Sequence, residues 1–355
     1  MSDTRSWPDL TSRLISHEDL SSEDTAWAMD QVMSGETSPV VLAGFLTALA
    51  AKGETPSELR GLADAMLSHA LPISVSGPVL DIVGTGGDRL RTVNISTTAA
   101  MVIAAAGVPL VKHGNRASSS ASGAADCLEA LGVNLMLPVE GVERCFHELG
   151  ITFIFANVFH PSMRFAAQAR RELGVATAFN VLGPLTNPAR PDRCVIGVSS
   201  ARHAPIVAGV LAERGTSSLV FRGANGMDEL SAVTSNQVWE IRDGHITEYE
   251  LDAVEELGLA PATVEDLRGE DAAFNADVTR RVLAGETGAV RDAVTLNAAA
   301  ALVADGTRNG TRVSDGSFAQ RMAAGLDIAR QTIDSGAASD LLDRWVTLSQ
   351  KLGTP

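Results

Sequence analysis

Two rhythms of apolar residues run along this chain. Up to about residue 75 the spacing is helical throughout. "SSEDTAWAMDQVM" opens with capping residues, and "TSPVVLAGFLTALAAKG" offers Ser38 as N-cap, Pro39 at the first helical position and Gly53 as the stop. In "ETPSELRGLADAMLSHA", Thr55 would cap, Pro56 would follow, and Glu58 would close a capping box. Leu59, Leu62, Ala63, Met66 and Leu67 then share one face. From Pro78 the rhythm changes. "VLDIV", "VPLVKHG", "ITFIFA", "CVIGVS" and "SSLVF" are short apolar runs bounded by glycine or polar turns. Between them lie the helical stretches "STTAAMVIAAAG", "SGAADCLEALG", "GVERCFHELG" and "ARHAPIVAGVLAERG". Strands alternating with helices predict a mostly parallel sheet covered on both faces. "QVWEIRDGHITEYEL" predicts a hairpin turning at Asp243-Gly244, and the last 90 or so residues return to helices. Among these, Ala-rich "AVTLNAAAALVADG" should pack closely against a neighbour.

The pattern therefore predicts a small all-helical N-terminal domain, residues 1–75, and a larger α/β domain, 76–355, with a mostly parallel central sheet. The stretch Phe159 to Asp192 has no strand at its start and two Pro-rich turns. Part of it, 160–192, is expected to rejoin the helical domain and leave a cleft between domains, a common place for ligands.

Charge narrows the partners. A formal net charge of −15 over 355 residues argues against nucleic acid and anionic membranes, both of which need a positive surface. A small phosphorylated ligand remains open, because a few local cations and N–H groups suffice for it. Cys127, Cys145 and Cys194 show no metal-ligand spacing and read as core residues of a reduced, cytoplasmic protein. "MSDTRSWPDL" has no apolar run of the secretory kind, and "AAMVIAAAGVPLV" is too short and interrupted to span a bilayer.

Four elements carry candidate chemistry. "DIVGTGGDRLRTVNIST" puts three glycines directly after a strand, which is either a tight connection or a place where an anion approaches the main chain. It lacks the dinucleotide spacing and the Walker lysine. Asn94, Ser96 and Thr97 then open a helix, where free N–H groups and the positive dipole end collect anions. In "KHGNRASSSASGAAD", Lys112, His113, Asn115 and Arg116 crowd a turn, and Ser118, Ser119 and Ser120 are expected to open the next helix. The alternative is a pair of capped helices with a solvated basic turn. The fourth element is Asp228-Glu229 in a loop, either solvating a turn or holding magnesium against ligand phosphates.

In combination, "GTGGD", "NIST", "KHGNR", "ARRELG", "FNVLGPLTNPA" and "GMDEL" resemble the anthranilate phosphoribosyltransferases of tryptophan biosynthesis, and the resemblance covers nearly the whole chain. It implies transfer of the phosphoribosyl group of 5-phosphoribosyl 1-diphosphate to the amine of anthranilate, with release of pyrophosphate. It also implies two Mg2+ ions per subunit, a homodimer joined through the helical domain, and a fold shared with pyrimidine nucleoside phosphorylases. By the same resemblance, Gly84, Gly87, Asp88, Thr92 and Asn94, Ile95, Ser96 and Thr97 hold the phosphoribosyl diphosphate. Lys112, His113, Gly114, Asn115, Arg116, Ala117, Ser118, Ser119 and Ser120 complete that pocket, with Ala124. Ser96, Asp228 and Glu229 take the metal. Gly84, Asn115 and Arg170 meet anthranilate, and His113, His160 and Met163 line its channel.

The chain departs from the family in having Arg89 after "GTGGD", Ala124 where members often have Ser, and Arg222 in "FRGANGMDE". Three rival readings stay open: a nucleoside phosphorylase, a paralogue acting on another aromatic acid, and a non-catalytic binding protein. "KHGNR" and "ARRELG" weigh against the first, and the intact Asp228, Glu229, Lys112 and Arg170 against the last.

Overall fold

The computed structural model describes residues 5–117 and 121–353. The chain divides into two compact units, Met1–Pro72 with Asn157–Arg190, and Ile73–Ala156 with Pro191–Pro355.

The first unit is helical. Its helices Trp7–Ile15, Ser22–Met33, Pro39–Lys52 and Pro56–Ser68 start where local chemistry says they should. Ser38 caps Pro39–Lys52, which ends at Gly53. Thr55 and Glu58 form the capping box of Pro56–Ser68. The predicted face, Leu59, Leu62, Ala63, Met66 and Leu67, is buried. Glu58 does more than cap. Though fully buried, its carboxylate accepts from Leu20 N–H (2.9 Å), Thr55 N–H (2.8 Å) and Lys52 Nζ (3.0 Å). The later segment of this unit includes the helix Arg164–Leu173, which ends at left-handed Gly174 and carries Arg170.

The second unit is built on a seven-stranded sheet: β1 Leu80–Gly84, β2 Leu110–Gly114, β3 Ile151–Phe155, β4 Arg193–Gly197, β5 Ser217–Gly223, β6 Asn236–Arg242 and β7 His245–Leu251. The strand order is β3-β2-β1-β4-β5-β6-β7. β1 to β5 pair in parallel, while β6 and β7 are antiparallel. The hairpin turn is Asp243 and Gly244, both with positive φ (50° and 77°), as a twisted two-residue turn requires. The predicted Ala-rich helix is Ala289–Asp305, buried on all sides from Ala293 onward. Among the described residues no helix is long and apolar enough to cross a membrane.

The order of strands fixes where a site can form. The chain leaves β1 for β2 on one side and β4 for β5 on the other. β1 and β4 are therefore neighbours whose connections diverge, and a crevice opens beyond their C-terminal ends. Gly84 and Gly197, the last residues of the two strands, are register partners there.

Candidate active site

The crevice at β1 and β4 is a pocket of about 260 Å³. Its walls are the turn after β1, the start of the helix Ile95–Ala105, the end of β2 with the turn that follows, and Asp228-Glu229. Every described residue expected to hold the phosphoribosyl diphosphate or metal lies in this lining, from Gly84 to Glu229. Ser118, Ser119 and Ser120 lie outside the described residues. The helix they were expected to open begins instead at Ala124, after Gly123, because Asp126 takes the free N–H groups of Ala117 (2.9 Å) and Gly123 (2.9 Å).

Asp228 occupies the switch point itself. A Cβ on Gly84 would strike its carboxylate, and one on Gly197 would strike its backbone carbonyl. Both strands end in glycine because this loop comes down between them. Asp228 Oδ2 accepts from Gly86 N–H at 2.6 Å. This glycine amide, which is not among those expected on the donor, thus serves a protein carboxylate. The Gly86 carbonyl is fixed as well, accepting from Ser199 Oγ (2.8 Å) and Thr85 Oγ1 (3.2 Å).

Acids gather here. Oxygens of Asp88, Asp228 and Glu229 lie within 4.8 Å of one another. Burial, then the charge of Asp88, pushes the Asp228 carboxyl up to about 7. Burial and the neighbouring Asp228 likewise raise Glu229. Among the described residues no hydrogen bond reaches the buried Asp88 Oδ2 or Glu229 Oε2. Three desolvated, mutually repelling carboxylates with oxygens to spare fit a divalent cation with oxygen ligands. Asp88 joins this group although sequence reasoning placed it only on the phosphoribosyl diphosphate; no local pattern ties it to acids so far along the chain.

Lys112 faces the same pocket from below. It is not on a solvated turn but inside β2, 2% exposed. Its Nζ donates to Ile82 O (2.6 Å) and lies 3.3 Å from Ser96 Oγ. Burial pulls the ammonium down to about 8, with Asp81 and Glu229 holding it up. A lysine is stable there only beside negative charge.

Arg116, expected to serve the ligand, is already engaged with Asp126 (3.0 Å) and Glu129 (3.0 Å). Asn94 precedes the helix but makes no side-chain cap. Its amide donates to Ser122 O (3.1 Å) and accepts from Asn275 Nδ2 (2.9 Å). Ile95 N–H donates to Val93 O (2.7 Å), so the N–H groups left for a ligand are those of Ser96 and Thr97. Asn275, buried on the helix Ala272–Leu283, carries no sequence signal for this role.

Arg170, His160 and Met163 belong to the helical unit. Arg170 is exposed, its guanidinium 5.0 Å from the centre of the Phe179 ring. His160 is buried, which lowers its imidazole to about 4 and keeps it neutral. Met163 closes a short 3-10 turn.

A crevice of this kind, lined by acids, a buried lysine and a helix N-terminus, suits a phosphorylated ligand held with a divalent cation, and comparison with known families gives the class, a glycosyl transferase. The glycosyl transferase family, a/b domain, matches residues 76–339, and the glycosyl transferase family, helical bundle domain, matches 8–70. The anthranilate phosphoribosyltransferase of Arthrobacter sp. (strain FB24) is 57% identical, over 97% of this chain and 96% of its own. The crystal structure of the Thermus thermophilus anthranilate phosphoribosyltransferase is 44% identical with a TM-score of 0.88, covering 96% of this chain and 99% of the other. The Saccharomyces cerevisiae enzyme, in complex with PRPP and Mg, is 27% identical with a TM-score of 0.86, covering 97% and 98%. The chain belongs to the anthranilate phosphoribosyltransferase family.

Proposed function

We propose that this protein transfers the phosphoribosyl group of 5-phosphoribosyl 1-diphosphate to the amine of anthranilate, giving N-(5-phosphoribosyl)anthranilate and pyrophosphate in tryptophan biosynthesis. The observation that carries the reading is the juxtaposition of three crowded carboxylates, buried Lys112 and an open helix N-terminus at the switch point of the sheet.

Each group has a part. The amides of Ser96 and Thr97, with their hydroxyls, bind phosphate oxygens. Lys112 adds a positive charge already desolvated, so it loses no water when the donor arrives. Asp88, Asp228 and Glu229, with Ser96, hold magnesium, two ions per subunit on the family pattern; the yeast relative was solved with PRPP and Mg. When bound, magnesium supplies positive charge that neutralises the departing diphosphate. The acceptor amine needs no nucleophilic side chain. The bond between the ribose anomeric carbon and the diphosphate oxygen breaks as the nitrogen–carbon bond forms, and the amine proton leaves to water or pyrophosphate. Catalysis is then positioning and electrostatics. Arg170 offers a planar fork to the anthranilate carboxylate, Asn115 and Gly84 bound the acceptor, and His113, neutral His160 and Met163 line its approach. Family resemblance alone supports a homodimer through the helical unit and a cytoplasmic location.

Anthranilate fluoresces, and loading its amine changes that signal. Purified protein with magnesium, anthranilate and 5-phosphoribosyl 1-diphosphate is expected to consume anthranilate and release one pyrophosphate for each. Omitting magnesium should nearly stop it. Phosphorolysis of uridine or thymidine beside inert anthranilate would overturn the reading. Donor binding with turnover of only another aromatic acid would move it to a paralogue.

A further inference from the structure

The turn after β1 contains two residues that its backbone does not favour. Arg89 and Arg91 have φ of +63° and +56°, the left-handed region that L side chains seldom adopt. Elsewhere in this turn that region is taken by Gly86 and Gly87. The strain persists because the turn is pinned around it. Leu90 N–H donates to Asp88 Oδ1 (3.1 Å), Leu90 O accepts from Arg268 Nη1 (2.9 Å), and Arg91 O accepts from Gly269 N–H (2.8 Å). Strained backbone held in place by its surroundings is characteristic of ligand clamps.

The side chains point the same way. Both arginines line the pocket and both are exposed. Among the described residues neither guanidinium has a hydrogen-bond or ion-pair partner, although the pocket's other guanidinium, Arg116, is bound to two acids. An acidic protein with 43 Asp and Glu residues against 28 Lys and Arg has nonetheless left two cations without counter-ions at the mouth of one pocket. Forked guanidiniums are suited to phosphate oxygens.

We propose that Arg89 and Arg91 form an additional clamp on the phosphate oxygens of the donor, a cationic contact held in place at a cost in backbone strain. The proposal rests on the reading of the pocket as a phosphoribosyl diphosphate site. It assigns the pair to binding and leaves bond breaking to the groups beneath them.

The test replaces each arginine by asparagine, which removes the charge and tolerates the left-handed backbone. Arg89→Asn, Arg91→Asn, the double variant and Arg91→Lys are titrated calorimetrically with 5-phosphoribosyl 1-diphosphate, pyrophosphate and ribose 5-phosphate, each with magnesium. Each single Asn variant should bind the donor about tenfold more weakly, the scale of one charge-assisted hydrogen bond. The double variant should also lose part of its salt dependence. Melting temperature should hold or rise, because strain has been relieved, and Arg91→Lys should bind close to the parent. Weakened pyrophosphate binding places the clamp on the diphosphate; weakened ribose 5-phosphate binding places it on the other phosphate; either supports it. Unchanged affinity for all three ligands overturns the clamp while the parent's donor binding keeps the function. A fall in melting temperature together with affinity overturns it too, making the arginines loop supports. A parent chain that does not bind the donor overturns the clamp and the functional reading together.

Discussion

Buried charge is treated in opposite ways in the two units. In the helical unit, Glu58 is fully buried, yet two backbone N–H groups and Lys52 occupy its oxygens, and Lys52 also reaches Asp19 (2.6 Å) and the Gly53 carbonyl (2.7 Å). That pair is finished as folded. At the switch point, Asp88, Asp228 and Glu229 are crowded, and two of their buried oxygens receive no hydrogen bond among the described residues. Folding can bury charge for architecture only by satisfying it. Charge buried and left unsatisfied lowers stability, and it persists where a ligand completes it.

The sharpest way to break this comparison is to neutralise both kinds of carboxylate. Asp228→Asn with Glu229→Gln should lower turnover by about two orders of magnitude or more, the scale of losing a principal electrostatic contact. In metal-free buffer the melting temperature should not fall, because repulsion has been removed. Normal turnover at limiting magnesium would defeat the metal assignment. Glu58→Gln should do the reverse, destabilising the protein by about 2 kcal/mol through its charged hydrogen bonds while the Michaelis constants of the folded enzyme stay put. Denaturant unfolding with steady-state kinetics on one preparation reads both.

Arg170 extends the comparison to a cation. Its guanidinium has an aromatic ring beside it but no carboxylate among the described residues; being exposed it is satisfied by solvent, and its fork stays free for an anion. Arg170→Ala should raise the Michaelis constant for anthranilate about tenfold, with a much smaller effect on the donor. Equal effects on both substrates would assign it to architecture.

The smallest effect concerns Glu240, a second finished charge, which Arg321 grips with both nitrogens (2.7 and 2.8 Å). Burial would raise this carboxyl, but Arg321 outweighs it and holds it below 4.5. A depressed folded value means that its stabilisation is present above about pH 4.5 and fades as pH falls through the folded value. Glu240→Gln should therefore flatten the acid limb of a stability profile and leave the pH dependence of donor binding unaltered.

The parts legible in the sequence are those set by neighbours along the chain. Ser38, Pro39 and Gly53 bracket a helix by local hydrogen bonding, and Asp243-Gly244 dictates a turn by φ alone. The walls that follow β1 and β2 are legible for the same reason, since each is a strand-to-helix turn, whereas Asp228-Glu229 sits in the loop between β5 and β6. Lys112 is a different case: whether a strand lysine points at solvent or beneath the neighbouring strand depends on pairing register, which no local pattern encodes. Asp88 meeting Asp228, Asn275 steadying Asn94, and Ser199 fixing the Gly86 carbonyl are likewise products of topology. The arginines at 89 and 91 mislead in another way, because composition cannot reveal a left-handed backbone beneath an ordinary residue.

The absence of Cβ atoms at Gly84 and Gly197 has a consequence for inheritance. A single-base change turns a glycine codon into one for alanine, so the same small mutation can land on either position. At Gly84 the new methyl group would meet a carboxylate that can swing aside, leaving a folded protein with a displaced acid. At Gly197 it would meet main chain, which cannot rotate away, so the loop carrying both acids would have to lift. Two alleles that look equally conservative on paper should therefore differ in kind: the first a leaky auxotroph that added magnesium can help, the second a lesion that no supplement of the metal repairs.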